Sequence, residues 1–317
     1  MHPRRGANMI VEVGTHRYEW LEKWASVVDN ESGRLNGRTH GVQVSSTGEV
    51  IVFCQAEPSV LFFDSKGQLL RSWGNYPGAH GLTLTVEDGT DYLWLADQDT
   101  RQVVKTTLDG EIVQSIEQPP HPAYESGAPY VPTWAAVNEE RWGGNGDVWI
   151  TDGYGSSLVH RFDKSGKYQL TLDGSTGAGK FSCPHGIAFD TRNGGPQLLV
   201  ADRSNHRIQV FGQEGDFVKE FGSEILVHPD CFSVFGDLLL VPELYGRVAL
   251  LDGKNNLIGY LGRNDGAAET PGWPNLSKEH IQPGKFSSPH GGTFDIAGNI
   301  YIVEWIVGGR IVKLATV

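Results

Sequence analysis

Cysteine is scarce in this chain: three in 317 residues, Cys54, Cys183 and Cys231, far apart and with no CxxC pair. That excludes a zinc knuckle and a disulfide framework, and reads as three small buried residues in a reducing compartment. Positive charge is also short. Lys and Arg number 26 against 38 Asp and Glu, a formal net charge of -12, with the basic residues scattered. Phosphate contacts need clustered Lys and Arg, so nucleic acid and anionic membrane are disfavoured as partners and a small molecule or a cation is favoured. No apolar run approaches the ~20 residues that span a bilayer. The opening "MHPRRGANMIVEVGTHRYEW" has two arginines but no apolar core of a signal segment. A cytoplasmic location is expected, with a processed exported form as the alternative.

What the chain has in quantity is glycine, 41 residues, together with 39% hydrophobic content. Many tight turns around a sizeable core are implied. An internal repeat organises them. Units open near residues 40, 80, 132, 184, 228 and 289, as in "HGLTLTVEDGTDYLWLADQDTRQVVKTTLDGEIVQSI" from His80 and "PHGIAFDTRNGGPQLLVADRSNHRIQVFGQEGDFVKEFG" from Pro184. Each unit parses into short β-branched and aromatic runs separated by Gly, Asp and Asn turns, four strands to a unit. That is the blade of a β-propeller. The last unit stops one strand early, and "YEWLEKWASV" (18–27) can supply the missing strand and close the ring. An amphipathic helix is the alternative for this segment, since Trp20 and Trp24 are spaced i, i+4, but it leaves two sheet edges exposed. The phrase "PHGIAFD…LLVADRSNHRIQVF" resembles the NHL repeat. The expectation is therefore an all-β fold, a six-bladed β-propeller of NHL type, 1–317 as one domain, closed by an N-terminal strand. The Pro/Gly-rich inserts 119–130 and 262–282 read as loops on one face.

The residues opening the six first strands read His40, His80, Thr133, His185, His228 and His290. Five of the chain's eleven histidines thus fall on equivalent positions around a narrow axis. Taken singly, each is explained by repeat inheritance and a hydrogen bond to the next blade. Collectively, imidazoles crowded on an axis repel when protonated or share a cation. Blades two, four and six lie a third of a turn apart, so His80, His185 and His290 can present three nitrogens trigonally, leaving an open fourth position. His40 and His228 join the same ion, hold a second one or line the substrate path. The other histidines, His2, His16, His121, His160, His206 and His280, read as solvated.

Second strands end near the same rim at Asp97, Asp152, Asp202, Glu243 and Glu304. Such carboxylates orient ligand imidazoles or cap turns, and turn capping is the expectation for Asp152 and Asp202. Glu243 and Glu304 are candidate substrate contacts, with Trp134, Trp142 and Trp305 as walls. Tyr154 and Arg203, just beyond their strand ends, are large polar groups that turn chemistry does not require. They suit a base and an oxyanion or carboxylate clamp.

The phrases "HGLTL", "PTWAAV…ITDGYGSSLVHRF", "GKFSCPHGIAF", "LLVADRSNHRIQVF" and "SPHGGTF" together resemble the catalytic core of peptidyl-α-hydroxyglycine α-amidating lyase. The resemblance implies zinc, or another divalent transition metal, on His80, His185 and His290, with a structural calcium as a further expectation. It also implies Tyr154 as the base removing a hemiaminal hydroxyl proton, and Arg203 beside it. Departures concern the pocket. The family's two stapling disulfides lack counterparts at Gly155 and at Leu199 and Val210. Ser288 stands for a methionine and Gly291 for a carboxylate, and Arg38 is the candidate for a second substrate-binding arginine. The expected function is a metal-dependent lyase acting on a small polar, carboxylate-bearing substrate. The alternatives are a non-catalytic protein-binding scaffold using Tyr245, Trp273 and Trp305, and a calcium-dependent lactonase-type hydrolase.

Overall fold

Asp-led turns set the hairpins that build each blade. Between third and fourth strands, Asp64 Oδ1 accepts the amides of Lys66 and Gln68 at 2.8 and 2.9 Å, and Asp252 Oδ1 accepts those of Lys254 and Asn256 at 2.9 and 2.8 Å. Asp163 does the same for Ser165 and Lys167. Such Asx turns reverse the chain with a side chain in place of a backbone partner. In the computed structural model, which describes residues 9–317, the result is six antiparallel sheets, five of four strands and one of five. Most residues of the first three strands of the blades are buried, and the apolar clusters pack the face of one blade on the next. This is a six-bladed β-propeller.

The five-stranded blade closes the ring. Its strands Pro289–Phe294, Ile300–Glu304 and Arg310–Thr316 come from the C-terminal end, and His16–Ala25 and Met9–Val13 from the N-terminal end. Tyr18 pairs with Thr316 and Trp20 with Leu314. The expected strand is therefore present, longer than 18–27 at its start, and a hairpin adds one more outside it. Tyr18 and Trp20 are buried against the preceding blade, Trp20 on Phe286, while Trp24 is buried on the opposite face against Phe63 and Tyr301. The i, i+4 spacing of Trp20 and Trp24 spans an irregularity in the strand between Leu21 and Ala25, which turns the two indoles to opposite faces, and the ring supplied an edge to pair with. Arg310 clasps the seam, bonding Glu22 at 2.8 and 2.6 Å and also Glu304. Among the described residues no helix is long and apolar enough to cross a membrane. His2 lies outside them.

Candidate metal centre

Each first strand enters the axis at the residue after it pairs with the end of its second strand. Thr39 pairs with Cys54, Ala79 with Asp97, Pro184 with Asp202, Pro229 with Glu243 and Pro289 with Glu304. His40, His80, His185, Asp230 and His290 are thereby equivalent. Trp134 pairs with Thr151, which puts Thr133 in the same place in blade three. The sixth opener is Asp230, not His228. The proline marks the register, so that "HPDC" aligns with "CPHG" and "SPHG" through Pro229, Pro184 and Pro289. His228 lies two residues back, its ring stacked on Tyr245 at 4.6 Å, and joins neither cluster of converging ligand atoms.

The His-Gly phrase has a packing cause. A Cβ on Gly81, Gly186 or Gly291 would meet the carbonyl oxygen of Thr133, Asp230 or His40 at 2.5, 2.1 or 2.3 Å. The next blade's opener lies against each glycine, and the preceding histidine bonds the same carbonyl. His80 Nδ1 donates to Thr133 at 2.7 Å, His185 Nδ1 to Asp230 at 2.9 Å and His290 Nδ1 to His40 at 3.1 Å. A carbonyl can only accept, so all three imidazoles carry their proton on Nδ1 and a lone pair on Nε2. The three rings stand 4.7, 4.8 and 4.8 Å apart by centroid. His80 and His185 are fully buried and His290 is 2% exposed.

One hydroxyl faces these lone pairs. Tyr154 Oη lies 3.2 Å from His80 Nε2 and 3.1 Å from His185 Nε2, while His290 Nε2 is buried without a partner. A phenol has one proton to give, so three nitrogen acceptors share a single hydroxyl hydrogen. The residue as a whole is 39% exposed. Burial raises the phenol's pKa, and Arg203, whose Nη1 is 3.4 Å from Oη, pulls it back down. Arg203 is held by Asp230 Oδ1 at 3.0 Å and touches Cys183 Sγ at 3.2 Å. Burial pushes the Asp230 carboxyl up to about 7 against the opposing charge of Arg203. Burial likewise holds His80 down at about 3, and it holds His40, His185 and His290 well below the usual imidazole range. Neutral imidazole is the metal-binding form.

Other expected residues fall into two groups. Arg38 lies 5.2 Å above the Trp305 ring, which stands 6.2 Å from His40. Its guanidinium bonds the side-chain oxygens of Asn36 and Asn275, with no carboxylate partner among the described residues. Trp134 sits beneath the ring, its indole 6.2 Å from both His80 and His290, and also lines a cavity of about 630 Å³ that opens at the other end of the axis. Trp142 belongs to that other mouth and walls nothing at the histidines. Glu243 and Glu304 are fully buried. Glu243 accepts the amides of Val227 and His228 and a bond from Arg247, and Glu304 accepts those of Ser287 and Ser288 and a bond from Arg310. Both anchor the entry to their own blade instead of presenting an oxygen to a substrate.

Buried polar atoms without partners converge here. Arg38 Nε, His40 Nδ1, Arg203 Nε, His228 Nδ1, Asp230 Oδ2, Ser288 Oγ, His290 Nε2 and Trp305 Nε1 are all of this kind. Unpaired buried groups are rare in folded proteins and mark sites for an ion, water or ligand.

The NHL repeat family matches residues 181–211. Human NHL repeat-containing protein 3 is 28% identical over 232 residues, 66% of this chain and 63% of that protein. The probable peptidyl-alpha-hydroxyglycine alpha-amidating lyase of Caenorhabditis elegans is 30% identical over 164 residues, 49% of this chain and 44% of that one. The match thus spans less than two thirds of either relative. A solved streptogramin B lyase structure covers 97% of this chain at a TM-score of 0.62 and 15% identity, and at that identity it speaks to the fold alone. The chain is a six-bladed propeller that carries an NHL repeat at residues 181–211 and is homologous, over about half its length, to amidating-lyase domains.

Proposed function

We propose that this chain is a metal-dependent lyase, with zinc as its ion, that breaks a carbon–nitrogen or carbon–oxygen bond in a small polar substrate bearing a carboxylate. The observation that carries this reading is the proton count at the ring. Three buried nitrogen lone pairs, oriented by the neighbouring blades' backbone, face a single hydroxyl hydrogen. His80, His185 and His290 fit a divalent ion by donor type, protonation and second hydrogen bond. When bound, such an ion lowers the pKa of a hydroxyl beside it and draws charge from a reacting oxygen.

The chain's own groups supply the rest. Tyr154 Oη, in reach of two of these nitrogens, takes the substrate's hydroxyl proton. Arg203, held in place by Asp230, stabilises the phenolate form of Tyr154 that must exist before this transfer, and the phenol formed by it returns the proton to the leaving nitrogen or oxygen. Burial raises this phenol's pKa above its usual value even with Arg203 beside it, so its use as a base depends on further positive charge around it. Arg38, an unpaired cation in a chain of net charge -12, is the carboxylate clamp. Homology to the amidating lyases supports the reaction class; Ser288, Gly291 and Gly155 argue for a pocket of different shape.

Elemental analysis of tag-free protein should find about one transition-metal ion per chain. An N-acyl-α-hydroxyglycine, whose C–N cleavage yields an amide and glyoxylate, is the first substrate to assay. Tyr154→Phe should lower turnover roughly 10²–10⁴-fold, the usual scale of a general base, with the metal retained. A fully active variant would sink the assignment. A scaffold role draws on the rim stack of His228, Tyr245 and Trp273, with centroids 4.6 and 5.0 Å apart. Metal-free folded protein that captures a partner there would favour it. Calcium hydrolysis suits oxygen donors, and the donors here are mostly nitrogen.

A further inference from the structure

We infer that His40 is a fourth imidazole donor, so that the ion is held from blades one, two, four and six. This rests on the metal-lyase reading and adds to it a ligand peculiar to the odd-numbered blades.

The six openers alternate in role. Blades two, four and six give imidazoles whose Nδ1 bonds the following blade. Blades three, five and one give the carbonyls that accept, from Thr133, Asp230 and His40. The accepting positions need only their backbone, and their side chains are free for other work. Thr133 Oγ1 donates to the carbonyl of His185 at 2.8 Å, and Asp230 Oδ1 binds Arg203 at 3.0 Å. Of the three, His40 has a buried nitrogen, Nδ1, without a partner; Asp230 Oδ2 is unpartnered as well, but Asp230 is held through Oδ1 by Arg203. His40 is 3% exposed.

Its position matches a ligand's. The His40 ring is 4.5 Å by centroid from His290 and 4.9 Å from His80, the same spacing as within the even-blade triad. Ligand atoms of His40, His80 and His290 lie within 4.8 Å of one another. A second such set joins His185, Asp230 and His290, sharing His290 with the first. In that set the carboxylate is already engaged by Arg203, which makes it the weaker candidate. A buried imidazole with no partner costs free energy in the ion-free protein, and an ion removes that cost. Four nitrogens also bias the site towards zinc, nickel or copper and away from calcium or magnesium.

The test is metal binding, not turnover. Chelator-stripped wild type, His40→Ala, His40→Phe and His80→Ala are titrated with Zn²⁺ and Co²⁺ against a chromophoric competitor, with the Co²⁺ absorption spectrum recorded for each. Loss of a group that merely orients a ligand weakens binding about 10–100-fold. Both His40 variants should exceed that range and shift the Co²⁺ bands. His40→Phe fills the same space without a donor, so it separates ligation from packing, and the metal-free melting temperature of each variant reports folding. Wild-type affinity and spectrum in folded His40→Phe, with His80→Ala unable to bind, would overturn this inference alone. Failure of wild type to bind either ion would take the lyase reading down with it.

Discussion

Two groups of buried histidine stand within this propeller, and they differ in how their nitrogens are satisfied. In blade three, His160 Nε2 bonds Tyr124 Oη at 2.6 Å and Nδ1 bonds Thr171 Oγ1 at 2.8 Å. Tyr124 passes the chain on to Asp152 Oδ2 at 2.8 Å, whose other oxygen accepts the amide of Val131. Every nitrogen of His160 is used, and the network ties the 119–131 segment to the blade. On the axis, each even-blade imidazole has one nitrogen fixed by a carbonyl and one facing too few protons. Burial alone therefore does not separate the two groups. The completeness of their hydrogen bonds does.

The largest expected effect tests that distinction at the ring. His185→Ala should abolish metal binding and reduce turnover to background, because it removes one converging lone pair and opens a cavity beside Arg203. Metal content and turnover after reconstitution measure both losses. Activity at wild-type level in this variant would mean that the unsatisfied nitrogens are not the working part of the molecule.

The fold was legible in the sequence because repetition averages over local ambiguity. Six copies of one strand–turn pattern outweigh any single doubtful run, and closure followed from counting strands. The alternation of blades that bring a histidine to the axis was legible too, since His80, His185 and His290 share a phrase. What the sequence misplaced was register. His228 attracted notice by residue type, while Pro229 carried the alignment and left Asp230 in the ring. A proline before the opener is a backbone feature, blind to side-chain chemistry, and so the better marker. His160 looked like a solvated outer-strand residue and is fully buried, because the loop insert around Tyr124 covers it. No periodicity within the blade announces such a cover. Glu243 and Glu304 looked available because their partners, the amides before each first strand, are invisible in a list of side chains.

A smaller effect is expected at the satisfied histidine. His160→Gln keeps part of the hydrogen bonding but should cost about 1–3 kcal/mol of stability at neutral pH, the scale of an unmet buried donor or acceptor. Metal affinity should stay as in wild type. The pH dependence has a definite sign. Burial holds the folded-state pKa of His160 near 3, with His121 adding to the effect, against about 6.5 in the unfolded chain. The unfolded state therefore binds the extra proton, and stability is lost as pH falls below about 6.5. In His160→Gln this one proton is missing, so the fall in stability between pH 6 and 4 should be shallower by about 1.4 kcal/mol per pH unit. Parallel denaturant titrations of the two metal-free proteins would measure it. Equal slopes would place His160 among charged, solvated histidines.

The smallest effect belongs to the far mouth of the axis, where the cavity of about 630 Å³ has a single unpartnered buried side-chain atom in its lining, Thr85 Oγ1. Its one large cation, Arg192, is fully committed: it bonds Asp190 at two oxygens, the carbonyls of Asp237 and Asp252, and Asn255. Trp142, 54% exposed there, lies beneath the guanidinium of Arg141 at 4.9 Å. Trp134 stands between this cavity and the imidazoles, so a ligand entering from below meets an indole before it meets a lone pair. Trp142→Ala should then change stability by no more than about 0.5 kcal/mol, the usual range for an exposed site, and leave turnover and metal affinity unchanged. A tenfold or larger rise in KM would instead make this mouth the substrate's entrance, and it would require Trp134 to move aside for the substrate to reach Tyr154.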